Sequence, residues 1–71
     1  MKISARNQLK GTVAEITEGA VNSIVALKVG DAVIKASITN EAVKDLELEV
    51  GKEAYAVIKA SSVMVAVKHK E

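Results

Sequence analysis

Apolar and polar residues alternate along most of this chain, and the alternation breaks clearly in only one place. From Gln8 to Ile16, the residues Leu9, Gly11 and Val13 share one parity while Lys10 and Thr12 take the other. That is the period-two pattern of a half-buried strand. Gly11 inside the run predicts a bulge or a close backbone approach. Thr17-Glu18-Gly19 turns the chain. A second strand is expected from Ala20 to Val29, with Val21, Val25, Leu27 and Val29 on one face. Gly30-Asp31 is a two-residue hairpin signal. A third strand, Ala32 to Thr39, sets Ile34, Ala36 and Ile38 against Lys35, Ser37 and Thr39. The period changes at Asn40. Asn suits a helix N-cap, Glu41 suits the first turn, and Ala42, Val43 and Leu46 form a short apolar stripe, so a helix is expected over Glu41–Leu46. Glu49-Val50-Gly51-Lys52 is another turn. A fourth strand is expected from Glu53 to Ala60 and a fifth from Ser62 to Val67, with residues 68–71 as a frayed tail.

Three strands, a short helix and two more strands is the element order of an all-β, five-stranded OB-type barrel, with the helix between strands three and four plugging its open end. The 71 residues make one domain, 1–71. A chain this short is marginally stable alone. With no Cys, no disulfide staples it, yet 49% of its residues are hydrophobic. Small chains in that position commonly oligomerise. The last strand points the same way, because Val63, Val65 and Val67 alternate with Met64 and Ala66 and leave both faces apolar. An antiparallel strand normally wets one face. Cover by a second subunit and a plain scatter of exposed valines both fit.

Charge narrows the function classes. Ten basic and nine acidic residues give a net charge of +1, without the basic stripe of a nucleic-acid binder. One Tyr, with no Phe or Trp, leaves no platform for stacking bases. No run approaches a membrane span of about 18 apolar residues, and Lys2, Ser4 and Arg6 interrupt any signal-peptide core, so a soluble cytoplasmic protein is expected. A single His without Cys argues against a bare metal cation site. The carboxylates fall in turns and on strand exteriors, and no serine has an elbow or a base, so no enzyme chemistry is expected.

What remains is a set of hydrogen-bond donors. Ser4, Arg6 and Asn7 lie within four positions near the start, Lys59, Ser61 and Ser62 lie near the end, and Thr39 ends the third strand. Donors gathered without a carboxylate suit an oxyanion, which needs directed N–H and O–H groups and some positive charge. The donors are far apart in sequence and the domain is small, so a site shared between two chains is the economical geometry. A polar N-terminal arm and an ordinary exposed turn would produce the same residues.

The run Ile3-Ser4-Ala5-Arg6-Asn7-Gln8-Leu9-Lys10-Gly11 strongly resembles the opening of the molbindins, the small Mop proteins that bind molybdate. The similarity continues through Ala36-Ser37-Ile38-Thr39, the helix from Asn40 to Leu46, Val50-Gly51-Lys52-Glu53-Ala54, and Val57 to Val65. From Thr12 to Val33 only the pattern matches. The resemblance implies an OB-type barrel assembled as a hexamer of three dimers that binds molybdate and usually tungstate, with no organic cofactor. It implies that Ser4, Arg6 and Asn7 of one subunit meet Thr39, Lys59, Ala60 and Ser61 of another, Ala60 through its backbone N–H. It also implies a second oxyanion site near the three-fold axes, for which the turn Gly19, Ala20, Val21 and Asn22 is the candidate. The module also occurs in transcription regulators and importer ATPases. Standing alone, it implies storage or homeostasis of cytoplasmic molybdenum. The alternative is a ligand-free interaction or regulatory OB module that docks on a transporter or enzyme.

Overall fold

A computed structural model describes residues 2–69. Four strands and one short helix account for its regular structure: β1 (Asn7–Glu18), β2 (Asn22–Val29), β3 (Ala32–Thr39), α1 (Asn40–Asp45) and β4 (Glu53–Ile58), followed by a single 3-10 turn over Ala60–Ser62. The strands form one antiparallel sheet in the order β3-β2-β1-β4. The fold is all-β, as expected from the alternation.

β1 carries the architecture because it pairs with two strands. Its first half, Asn7 to Thr12, runs against β4 from Ile58 to Glu53, and Thr12 to Glu18 runs against β2 from Lys28 to Ser23. The hand-over falls beside Gly11. A Cβ there would lie 2.6 Å from the Lys28 carbonyl oxygen and 2.8 Å from a Val29 methyl carbon. The close approach expected of this glycine is therefore real. The bulge comes slightly later, between Val13 and Glu15. It changes the parity of β1, so Ile16 rather than Glu15 joins Val13 on the core side.

The core is small. Val13, Val25, Leu27 and Ala56 are its buried centre, with Ile16, Ile34, Ile38, Val43, Leu48 and Ala54 packed around it. On the same side the sheet leaves an open apolar groove of ≈ 840 Å³, whose lining includes Ile3, Ile34, Ile38, Leu46 and Ile58. The helix expected over Glu41–Leu46 starts one residue early. Thr39, not Asn40, is its N-cap, with the Thr39 Oγ1 accepting from the Ala42 N–H at 3.0 Å. Asn40 is drawn into the helix because its amide group is used elsewhere, as described below.

The fifth strand expected over Ser62–Val67 does not form within the chain, and the sheet stays open with four strands. β4 ends at Ile58, short of the expected Ala60, because the 3-10 turn at Ala60–Ser62 breaks the extended backbone. Residues 63–69 then run without strand pairing, and Met64, Val65 and Val67 are 91%, 91% and 88% exposed. The outer edges of β3 and β4 stay free, but the segment leaves the 3-10 turn without returning along either of them. The tail expected at 68–71 lies partly outside the described residues.

Beyond α1 the chain closes with a Schellman motif. Leu48 N–H donates to the Val43 carbonyl at 3.0 Å and Glu47 N–H to the Lys44 carbonyl at 3.0 Å. Glu47 occupies the left-handed position with φ of 53°, where a Cβ is penalised. Its own carbonyl accepts from Lys52 Nζ at 2.7 Å. Glu47→Gly relieves the backbone penalty and keeps that main-chain acceptor, so it is expected to stabilise the fold by about 0.5–1 kcal/mol. Chemical denaturation of both proteins checks this, and a variant less stable than wild type contradicts it.

Candidate functional site

The β1–β4 ladder ends at the pair Asn7 and Ile58. The next residues on either side are Arg6 and Lys59, and beyond them lie Ser4 and the 3-10 turn of Ala60, Ser61 and Ser62. The two donor groups, far apart in sequence, are thus delivered to one end of the same sheet by strand pairing. Ser4, Arg6, Lys59, Ala60 and Ser61 are exposed and Asn7 is half-buried. Among the described residues the sole ion pair joins Lys10 Nζ to the Glu53 carboxylate at 3.1 Å. Among the described residues, no carboxylate neutralises Arg6 or Lys59. The charges at this end are available to an external anion.

Thr39 stands elsewhere. It pairs with Asn22, while Ser23 pairs with Glu18 at the far end of β1. The eleven steps from Asn7 to Glu18 correspond to a strand contour of roughly 36 Å at about 3.3 Å per residue. One chain cannot bring its own Thr39 to its own Arg6. The chemistry of Thr39 still suits an anion. Its hydroxyl oxygen accepts from the Ala42 N–H, which leaves the hydroxyl proton to be donated outward.

The turn at Gly19, Ala20, Val21 and Asn22 adjoins Thr39, and its backbone is heavily engaged. Gly19 N–H donates to the Asn22 carbonyl at 2.9 Å, Asn40 N–H donates to the Val21 carbonyl at 2.8 Å, and Asn40 Nδ2 donates to the Gly19 carbonyl at 2.9 Å. Asn40 Oδ1 in turn accepts from the hydroxyl of Ser23, which is buried at 1% exposure. The residue pattern gave no sign of the Ser23–Asn40 pair. Asn40 was legible only as a capping residue and Ser23 only as a strand residue.

The remaining features do not compete as anion sites. A cleft of ≈ 490 Å³ beside the end of α1 is lined by Glu47 and Glu49 as well as Lys44 and Lys52, and its carboxylates would repel an oxyanion. No three His, Cys, Asp or Glu side chains cluster as metal ligands among the described residues. No helix among them is long and apolar enough to cross a membrane.

The geometry can be set beside known proteins. Residues 3–65 match the model of the TOBE domain. A probable molybdenum-pterin-binding protein of Haemophilus influenzae is 59% identical over 69 residues, which cover 96% of this chain and 100% of that one. Among solved structures, a molybdate-binding protein from Sporomusa ovata superposes with a TM-score of 0.89 at 37% identity, covering 94% of this chain and 100% of the other. ModG, described as a cytoplasmic molybdate-binding protein and solved with molybdate bound, gives a TM-score of 0.85 at 48% identity, covering 90% of this chain and 46% of ModG. Matched across nearly its whole length in sequence and in fold, the chain belongs to the TOBE-domain family and is a protein of the molbindin (Mop) type.

Proposed function

We propose that this chain is a single-domain molybdate-binding protein whose oxyanion sites are completed between copies of itself. One observation carries the proposal: Arg6 and Lys59 flank one end of the sheet with no carboxylate partner among the described residues, while Thr39 is fixed at the other end. A dianion held by exposed groups of one chain stays largely hydrated. Bringing the Thr39 end of a second copy over Ser4, Arg6, Asn7, Lys59, Ala60 and Ser61 removes that water and strengthens every charge-assisted hydrogen bond. Hydroxyls and the Ala60 N–H give direction, and the two cations match the two charges of the anion. Tungstate has the same shape and charge and is expected to bind too. Sulfate is smaller and is expected to be rejected by cavity size.

A bare oxyanion is favoured over a pterin-bound metal. A pterin calls for an aromatic face, and the only aromatic residue, Tyr55, pairs with Lys10 three positions up the ladder from Asn7. The role is storage or buffering of molybdate in the cytoplasm, without catalysis. The Haemophilus influenzae relative, matched over its whole length, has the same single-module size.

Assembly follows from the same reading. The apolar groove of one copy and the unpaired segment from Val63 to Val67 of another supply what each lacks, and a fifth strand and a closed barrel then arise on association. A hexamer of three dimers is the expected form. Sedimentation should show a species several times the 7.5 kDa of one chain. Val65→Asp combined with Val67→Asp should reduce it to smaller species with the sheet intact by circular dichroism. A double variant that sediments like wild type removes this segment from the interface.

Calorimetric titration tests the site. Wild type should take up molybdate and ignore sulfate. Arg6→Ala and Lys59→Ala should each weaken binding by one to two orders of magnitude, since a charged hydrogen bond is worth roughly 1.5–3 kcal/mol. Subunit mixing then assigns the donors to chains. A mixture of Arg6→Ala and Thr39→Val protomers rebuilds some intact sites if Thr39 comes from the second copy. A mixture of Arg6→Ala and Lys59→Ala protomers recovers nothing if both cations belong to one copy, the division this reading favours over the one the family resemblance implies, in which Arg6 and Lys59 come from different subunits. Recovery in that second mixture divides the cations between chains instead. Two single variants that bind like wild type reject these residues as the site.

A further inference from the structure

Thr39 is a small side chain on the surface, yet it is set among unusually heavily bonded neighbours. The residue after it, Asn40, makes three hydrogen bonds, two to the β1–β2 turn and one to β2. Its backbone N–H donates to Val21 and its Nδ2 to Gly19, both carbonyls of the β1–β2 turn, and its Oδ1 accepts from the buried Ser23 hydroxyl. None of these is needed to start α1, because the Thr39 hydroxyl already caps it. A polar hub of this kind fixes one arrangement of the turn, the last residue of β3 and the first turn of the helix together. With Asn40 held on both sides of its amide, the Cα of Thr39 and the Ala42 N–H keep a fixed relation. The Thr39 hydroxyl then has one orientation: its oxygen toward Ala42 and its proton outward.

We infer that Asn40 and Ser23 are positioning residues for oxyanion binding, acting through Thr39 by holding its hydroxyl proton toward the ligand. The inference rests on the proposed function, in which Thr39 donates to the anion. Neither Asn40 nor Ser23 reaches the ligand in this arrangement. Ser23 is buried, and both the amide oxygen and the amide nitrogen of Asn40 are already bonded within the chain. Preorganisation is what the pair contributes. A free threonine rotor would have to be ordered on binding, and ordering it would weaken the complex.

A double-mutant cycle separates positioning from plain structural support. Ser23→Ala removes one hydroxyl from a strand held by ladders on both sides, so the fold persists, and Asn40→Ala removes the whole hub. Molybdate affinity is measured by calorimetry well below the melting transition, and the thermal midpoint of the ligand-free protein is measured separately. Thr39→Val should lower affinity about tenfold, the effect of one lost hydrogen bond to a charged group, and Thr39→Ser should retain most of it. Ser23→Ala should lower affinity several-fold in the Thr39 background. In the Thr39→Val background it should lower it no further, because the hydroxyl it positions is gone. A purely structural role predicts a lower midpoint with unchanged affinity, or losses that add in both backgrounds, and either result overturns the inference. Failure of wild type to bind molybdate would instead reject the proposed function. Binding that is lost in Thr39→Val but unchanged in Ser23→Ala and Asn40→Ala would reject the positioning alone.

Discussion

The structure depends on one strand being shared. β1 gives its first half to β4 and its second half to β2, and it can do so only because its backbone comes against Lys28 and Val29 at Gly11, where a side chain would collide. That sharing sets the polarity of the whole molecule. It draws the chain start and the end of β4 to one pole, and it leaves the β1–β2 turn, the end of β3 and the start of α1 at the other. The candidate donors of the proposed oxyanion site are distributed between these poles for the same reason. If these candidates form one site as proposed, their placement at two ends requires more than one copy.

The same constraint explains the incomplete core. Four strands cannot close around the apolar side of the sheet, so only a few aliphatic side chains are fully buried and a groove stays open beside them. Meanwhile the residues after the 3-10 turn present valines and a methionine almost wholly to solvent. Apolar surface on this scale is costly in water. The cations at the Arg6 end are in a comparable position, since charges without a partner gain most when an anion and a second surface exclude water from them. In the proposed assembly, hydrophobic and electrostatic terms favour the same event, association around a ligand.

At the opposite pole the polar groups around Thr39 are largely bonded within the chain, while its hydroxyl proton stays free. The amide of Asn40 is satisfied on both sides, the Ser23 hydroxyl is buried with its partner, and no buried side-chain nitrogen or oxygen lacks a hydrogen bond among the described residues. One pole is therefore preorganised and the other is poised, and this asymmetry suits a site that forms when the two meet.

The sequence by itself determined the strand periods, the Gly30-Asp31 hairpin, the turn before Glu53 and the close approach at Gly11, because each is set by local alternation or by a glycine with a local task. It also determined the chemistry of the donors, since side-chain type decides what can bind an oxyanion. Three things were decided by tertiary structure. The bulge after Val13 exchanged Glu15 for Ile16 on the core side, which depends on pairing with β2 rather than on the composition of β1. The capping role passed from Asn40 to Thr39 because Ser23 and the β1–β2 turn, distant in sequence, claimed the Asn40 amide. The last apolar run stayed unpaired although its valines recur at strand spacing. Periodicity shows which residues could share a face, but a strand exists only where the chain path brings it along an edge that accepts its hydrogen bonds, and after the 3-10 turn this segment runs along neither the β3 nor the β4 edge.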